Sequence, residues 1–156
     1  MWRRGEYEIS TDRSRLDLDA IHAYLSEEAY WSRGVSRDVF DRSIEHSLNF
    51  GLYRGDEQAG FARVVTDYAT FGWLADVFVL PEHRTAGLGK WLVETVVLHP
   101  ELRGLRRWIL ATRDAHELYA RFGFQPVADH PRFMAREIPT RLDRGGGRAA
   151  TANGAP

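Results

Sequence analysis

Residues 73–98, WLADVFVL then PEHRTAGLGK then WLVETVVL, constrain the fold more than any other stretch. An aromatic and β-branched run stops at Pro81, as strands do. Gly87 and Gly89 follow and open a second apolar run, predicted as a helix from about Leu88 to Leu98 and ended by His99-Pro100. A strand that feeds an apolar helix through so short a loop has to pack that helix back onto a sheet, which requires a layered α/β domain. Glycines ahead of a helix also suggest a phosphate cradle, and spacing excludes two kinds. A Walker A loop would need glycine at Arg84 and a hydroxyl at Trp91; a Rossmann fingerprint would need glycine at Leu92.

At 156 residues the chain has room for one core and one active site. Its formal net charge of −1 gives no reason to expect nucleic acid or an anionic membrane as partner. With no cysteine, disulfides, thiolate metal sites and a cysteine nucleophile are excluded. No signal-peptide pattern opens the chain and nowhere do about 18 apolar residues run together, so a cytoplasmic protein is expected.

Before the central strand, Leu18, Ile21, Leu25 and Ala29 repeat at helical spacing behind Asp17, and Arg33-Gly34 breaks the pattern. Ser36 then caps a second helix with Phe40, Ile44 and Ser47 on one face. Two strands joined around Gly55-Asp56 follow, then a polar and aromatic break, TDYATFG, at 66–72. Beyond the central helix come a strand in RRWILA, a helix in DAHELYARF ended by Gly123, and a last strand, FMAREI, at 133–138. A single domain over 1–138 and a disordered tail over 139–156 are expected.

What remains for the glycine loop is the pattern R-x-x-G-x-G: Arg84, Thr85, Ala86, Gly87, Leu88, Gly89. Successive backbone N–H groups there, added to the positive end of a helix dipole, form a nest for a pyrophosphate. About thirty residues later Ala115, Leu118, Tyr119, Gly123 and Phe124 fit A-x-x-L-Y-x-x-x-G-F. With these two motifs in this order the chain resembles the GNAT superfamily of acetyl-CoA dependent N-acetyltransferases over roughly residues 8–138. An asparagine common in that family before the second motif is missing, and Thr112 stands about there, so Thr112 or Asp114 is left to replace its cofactor contact. The resemblance implies an α/β (α+β) fold, a mixed, mostly antiparallel sheet with helices on both faces. It implies acetyl-CoA as acetyl donor, and no metal is expected; the aromatic and acidic pocket residues named below then point to a primary amine on a small molecule or amino-acid-like acceptor. Cofactor contacts are implied at Phe78, Val79, the loop from Arg84 to Lys90, and Tyr119. A homodimer is compatible with it.

The resemblance also implies direct attack of the amine on the thioester in a ternary complex. The oxyanion then needs a fixed N–H, implied at Val79, and the leaving thiolate needs a proton, implied from Tyr119. An alkylamine has a pKa of about 10.4, so something must take its proton. Asp76, flanked by Ala75 and Val77, is the first candidate base and Asp67 the second. The acceptor pocket is expected at Tyr30, Trp31, Asp67, Tyr68 and Phe71, an aromatic wall with a carboxylate that suits a cationic amine. Plainer readings stand beside these: Trp31 and Phe71 as core, Asp76 paired with an arginine, Tyr119 as packing, and the six histidines as surface groups with no metal spacing. A catalytically inactive acyl-CoA-binding or protein-interaction module is the alternative to an enzyme; the intact glycines and Tyr119 favour the enzyme.

Overall fold

The computed structural model describes residues 1–84 and 87–136. Six strands form one sheet in sequence order. They are β1 (Trp2–Arg4), β2 (Tyr7–Ser10), β3 (Leu48–Arg54), β4 (Glu57–Thr66), β5 (Phe71–Val79) and β6 (Arg107–Leu110). The first five pair antiparallel, and β6 runs parallel to β5. The mixed, mostly antiparallel sheet is therefore as expected. The Arg54 to Glu57 pairing closes the predicted hairpin over Gly55, whose φ of +61° only glycine adopts cheaply.

The hairpin β1–β2 was not expected from the sequence. Its turn is built the same way, around Gly5 at φ +61°. The expected last strand is not found: residues 133–136 form no strand, and 137–138, like the tail, lie outside the described residues.

Helices cover both faces. On one, α3 (Leu88–Val97) lays Leu88, Leu92, Val93 and Val96 over Phe50, Leu52, Ala62, Val64 and Leu74. On the other, α1 (Leu18–Ala23), the turn after it and α2 (Arg37–Glu45) set Ile21, Leu25, Phe40 and Ile44 against Phe61 and Phe78. Each such side chain contributes about 1.5–3 kcal/mol of transfer free energy. Asp17 and Ser36 cap these two helices through Ala20 and Val39 N–H as expected. Beyond α1 the chain widens into a π turn, Tyr24–Glu28, where Ala29 N–H reaches Tyr24 O at 3.0 Å.

Two histidines are buried rather than at the surface. His99 lies against Trp2 and Phe50, and burial lowers its pKa. His83 packs edge-on to Tyr7, with Nδ1 3.2 Å from the phenol oxygen.

Candidate active site

The site grows from an irregularity in β5. Between the pairs Phe61–Phe78 and Arg63–Ala75, β4 advances two residues and β5 three, so β5 carries a bulge at Asp76–Val77. Asp76 takes φ +52°, rare for a non-glycine residue and a mark of local strain. The bulge reverses the side-chain alternation. Leu74, Val77 and Val79 join the α3 face, while Phe78 turns to the α1 face and stacks on Tyr24 at 4.0 Å.

The neighbouring ladder ends at the same place. Pairing of β5 with β6 stops at Leu74–Leu110, and among the described residues Ala75–Val79 have no strand partner on that side. Leu80 N–H bonds Ala59 O at 2.9 Å across β4, so alternation turns Val79 N–H to the open side. This is the position expected for the oxyanion donor. Val79 O on the same edge accepts from Arg84 Nε at 2.9 Å, and another Arg84 nitrogen donates to Tyr24 Oη at 2.9 Å. Arg84, expected on phosphate, thus fastens β5 to the first helical segment while lining the cleft.

Two cavities open into this gap. One, of about 370 Å³, is lined by the β5 end from Val77 to Val79, Arg84, Gly87 to Gly89, and Ala115, Leu118 and Tyr119 of the second motif. Gly87 sits at φ +69° before α3 with no side-chain cap, so the first N–H groups of α3 have no intrahelical partner. A Cβ at Gly87 would meet nothing within 4 Å, and one at Gly89 only Val79 Cγ2 at 3.9 Å. This open cradle of bare N–H groups fits a pyrophosphate. Lys90 is exposed and does not line it; Thr85 and Ala86 lie outside the described residues.

The other cavity, of about 450 Å³, lies between the β5 bulge, the segment after α1, α2 and the β6–α4 loop. Here α4 is His116–Ala120, shorter than the predicted helix because Thr112 Oγ1 accepts from Ala115 N–H and holds the preceding turn. Tyr30 and Trp31 line this cavity as expected. Asp67, Tyr68 and Phe71 do not: Asp67 and Tyr68 occupy the β4–β5 turn and Phe71 is the first residue of β5, at the far end from Val79. The Asp67 carboxylate is spent on that turn, accepting from Ala69, Thr70 and Phe71 N–H and from Thr70 Oγ1, which together hold its pKa well below the usual range. Thr112 and Asp114, expected on the cofactor, line the second cavity instead.

Asp76 faces the second cavity, but not as the isolated carboxylate suggested by its apolar neighbours. Oδ2 pairs with Arg63 Nε and Oδ1 accepts from Trp31 Nε1 at 3.0 Å. Arg63 went unrecognised in the sequence; its signal was a lone charge inside the apolar strand GFARVV. Trp73 was missed as well, because strand periodicity alone does not separate cavity wall from core.

Val77, Ala115 and Tyr119 line both cavities. Tyr119 is 9 % exposed, and burial first, then Tyr30 and Asp114, pushes its pKa up to about 12. Its hydroxyl therefore keeps its proton at neutral pH. Among the described residues no group of His, Cys, Asp or Glu could hold a metal, and no helix is long and apolar enough to cross a membrane.

Known proteins resemble this chain in sequence and fold. The acetyltransferase (GNAT) domain family matches residues 45–126. A candidate acetyltransferase of Gibberella zeae is 37 % identical over 142 residues, covering 77 % of this chain and 79 % of that protein. A crystal structure of a candidate GNAT-family acetyltransferase from Xanthomonas campestris superposes with a TM-score of 0.81 at 49 % identity, over 85 % of this chain and 94 % of that one. N-acetylglutamate synthase from Neisseria gonorrhoeae, complexed with coenzyme A and N-acetyl-glutamate, shares the fold at 22 % identity and a TM-score of 0.64, over 79 % of this chain and 29 % of that one. The two motifs, the split between β5 and β6, and these matches together establish that the chain belongs to the GNAT family of acetyltransferases.

Proposed function

We propose that the protein is an N-acetyltransferase that moves an acetyl group from acetyl-CoA to a primary amine on a small molecule, by direct attack with both substrates bound. The observation that carries this reading is the shared lining: a nest-ended cleft and an acceptor cavity meet at Val77, Ala115 and Tyr119. Two cavities with a common wall admit both substrates at once, and a chain without cysteine has no thiol to carry the acyl group. Double-reciprocal plots should therefore intersect.

Bound acetyl-CoA supplies an activated acyl group as its thioester. The α3 N-terminus and the Gly87–Gly89 backbone bind the pyrophosphate. Val79 N–H, fixed by the ladder to β4, donates to the acyl oxygen as negative charge develops there; such a donor contributes roughly 10²–10³ in rate. Tyr119 donates its proton to the departing sulfur. The amine proton passes to the cavity carboxylates, and to Asp76, which lines the cavity at the bulge, we assign that role. A cytoplasmic location accords with these substrates.

The test is calorimetric titration of acetyl-CoA into the wild-type protein and into Gly87→Glu, which places a carboxylate in the cradle. Binding to the wild type, lost in a variant whose circular dichroism is unchanged, is expected. A folded wild-type protein that does not bind acetyl-CoA would sink the assignment and the role of Tyr119 with it.

A further inference from the structure

The charges and rings of the acceptor cavity narrow the amine further, and this step rests on the function proposed above. We infer that the acceptor is a monoamine with an aromatic or branched apolar body, carrying neither a carboxylate nor a second ammonium.

Charge comes first. Arg63, Asp76 and Asp114 are the charged residues that line the cavity, so its wall carries one positive and two negative charges. Arg63 is already committed: Nε pairs with Asp76, and Nη1 donates to Ser47 Oγ at 3.1 Å. The Asp76 charge is balanced in turn by Arg63, and with one bond to each oxygen, from Arg63 Nε and Trp31 Nε1, its carboxylate keeps lone pairs for an amine N–H but no net charge for a second ligand group. The net charge left for a ligand is a single negative one, which matches one ammonium. An α-carboxylate would find the Arg63 charge already balanced by Asp76 and the Arg113 guanidinium, outside the cavity lining, stacked on the Tyr30 ring, and a second ammonium would face the Arg63 guanidinium. Either group would be desolvated without a partner.

Apolar surface comes second. Tyr30, Trp31 and Val39 are 41 %, 44 % and 60 % exposed, and all three line this one cavity. Large apolar side chains gathered at a cavity mouth mark a surface that a ligand covers. Inside, Trp73 and Phe40 continue the apolar wall. The Trp31 ring is not free to swing away, because its N–H is tied to Asp76 and Tyr30 packs edge-on against it at 5.1 Å. Tyr30 is anchored in its turn: its hydroxyl accepts from Arg113 N–H at 3.0 Å, and the Arg113 guanidinium lies 3.8 Å over its ring. A rigid aromatic wall of this kind favours a flat or branched apolar body over a long hydrated one.

Matched pairs of amines test the inference by release of free coenzyme A. Phenethylamine and phenylalanine differ by a carboxylate; hexylamine and 1,6-diaminohexane differ by a second charge. In each pair the monocation should have the higher kcat/KM, by roughly tenfold or more, the range set by leaving a buried polar group unpaired. Phenethylamine should also exceed hexylamine. Trp31→Ala should raise KM for phenethylamine and leave the Kd for acetyl-CoA unchanged. Trp31→Phe, which keeps a ring and loses the N–H to Asp76, should restore most of that loss. Equal or better use of phenylalanine or the diamine would overturn the inference. So would a protein that binds acetyl-CoA yet neither binds nor turns over phenethylamine, an outcome that spares the cofactor reading. Absence of acetyl-CoA binding would instead refute the function on which the inference rests.

Discussion

Gly60 lies on β4 directly opposite Val79, and replacing it with alanine tests the packing and the chemistry of this site together. A Cβ at Gly60 would stand 2.6 Å from Phe78 O, 3.1 Å from Leu52 Cδ2 and 3.2 Å from Val79 Cα. The leucine methyl can move, but the other two atoms belong to the backbone of β5. An ordinary carbon to carbonyl-oxygen contact is ~3.3 Å, so β4 and β5 must part locally by about 0.7 Å. Overpacking of this kind costs about 1–3 kcal/mol. Parting the strands there also shifts Val79 N–H, and displacements approaching 1 Å at a reacting centre cost roughly ten- to a hundredfold in rate. Gly104→Ala is the control, since a Cβ there meets nothing within 4 Å and should change stability by less than about 0.5 kcal/mol. Urea unfolding of both variants, with kcat and the Kd for acetyl-CoA, gives the comparison. The expected result is a Gly60→Ala protein that is less stable and slower. Unfolding midpoints equal to those of Gly104→Ala would refute the packing argument, and a destabilised variant with wild-type kcat would remove Val79 from the mechanism.

Three further outcomes follow from the site. Tyr119→Phe should lower kcat by roughly 10²-fold or more with little change in acetyl-CoA affinity; because the wild-type hydroxyl has a pKa of about 12, the wild-type rate should show no loss from its ionisation between pH 7 and about 10. Asp76→Asn should depress turnover at neutral pH, spare acetyl-CoA binding and cost about 1–3 kcal/mol by leaving Arg63 without its partner, whereas an unchanged pH–rate profile would take Asp76 out of proton transfer. Asp67→Ala should lower the melting temperature without altering KM for the amine. The Asp67 carboxylate is held well below its ordinary pKa, so its stabilisation is fully present above the usual carboxylate range and is lost as pH falls below that range to the depressed folded value, where the difference between wild type and variant should vanish.

Tyr119 was singled out through resemblance to a family motif, whereas the succession of helices and strands from Leu18 to Leu110 and the glycine turn that opens α3 were determined by the sequence itself. These follow from local rules: side-chain period, capping residues and glycine at positive φ act within a few neighbours. It did not announce β1 and β2, because WRR and YEIS are short and largely charged or polar and lack the continuous apolar run that marks the equally short β6. Nor did it separate the two aromatic clusters. Tyr30-Trp31 and Tyr68-Phe71 look alike as strings, yet the first lines the cavity at the β5 bulge and the second sits at the far end of β5. The deciding feature was the bulge at Asp76–Val77, a mismatch of one residue between two paired strands. Such a mismatch belongs to the pairing rather than to either strand, and a one-residue shift exchanges the faces of every side chain beyond it. That is why Arg63, unremarkable in its own strand, meets Asp76, and why Val79 presents its N–H to the gap: tertiary pairing set both.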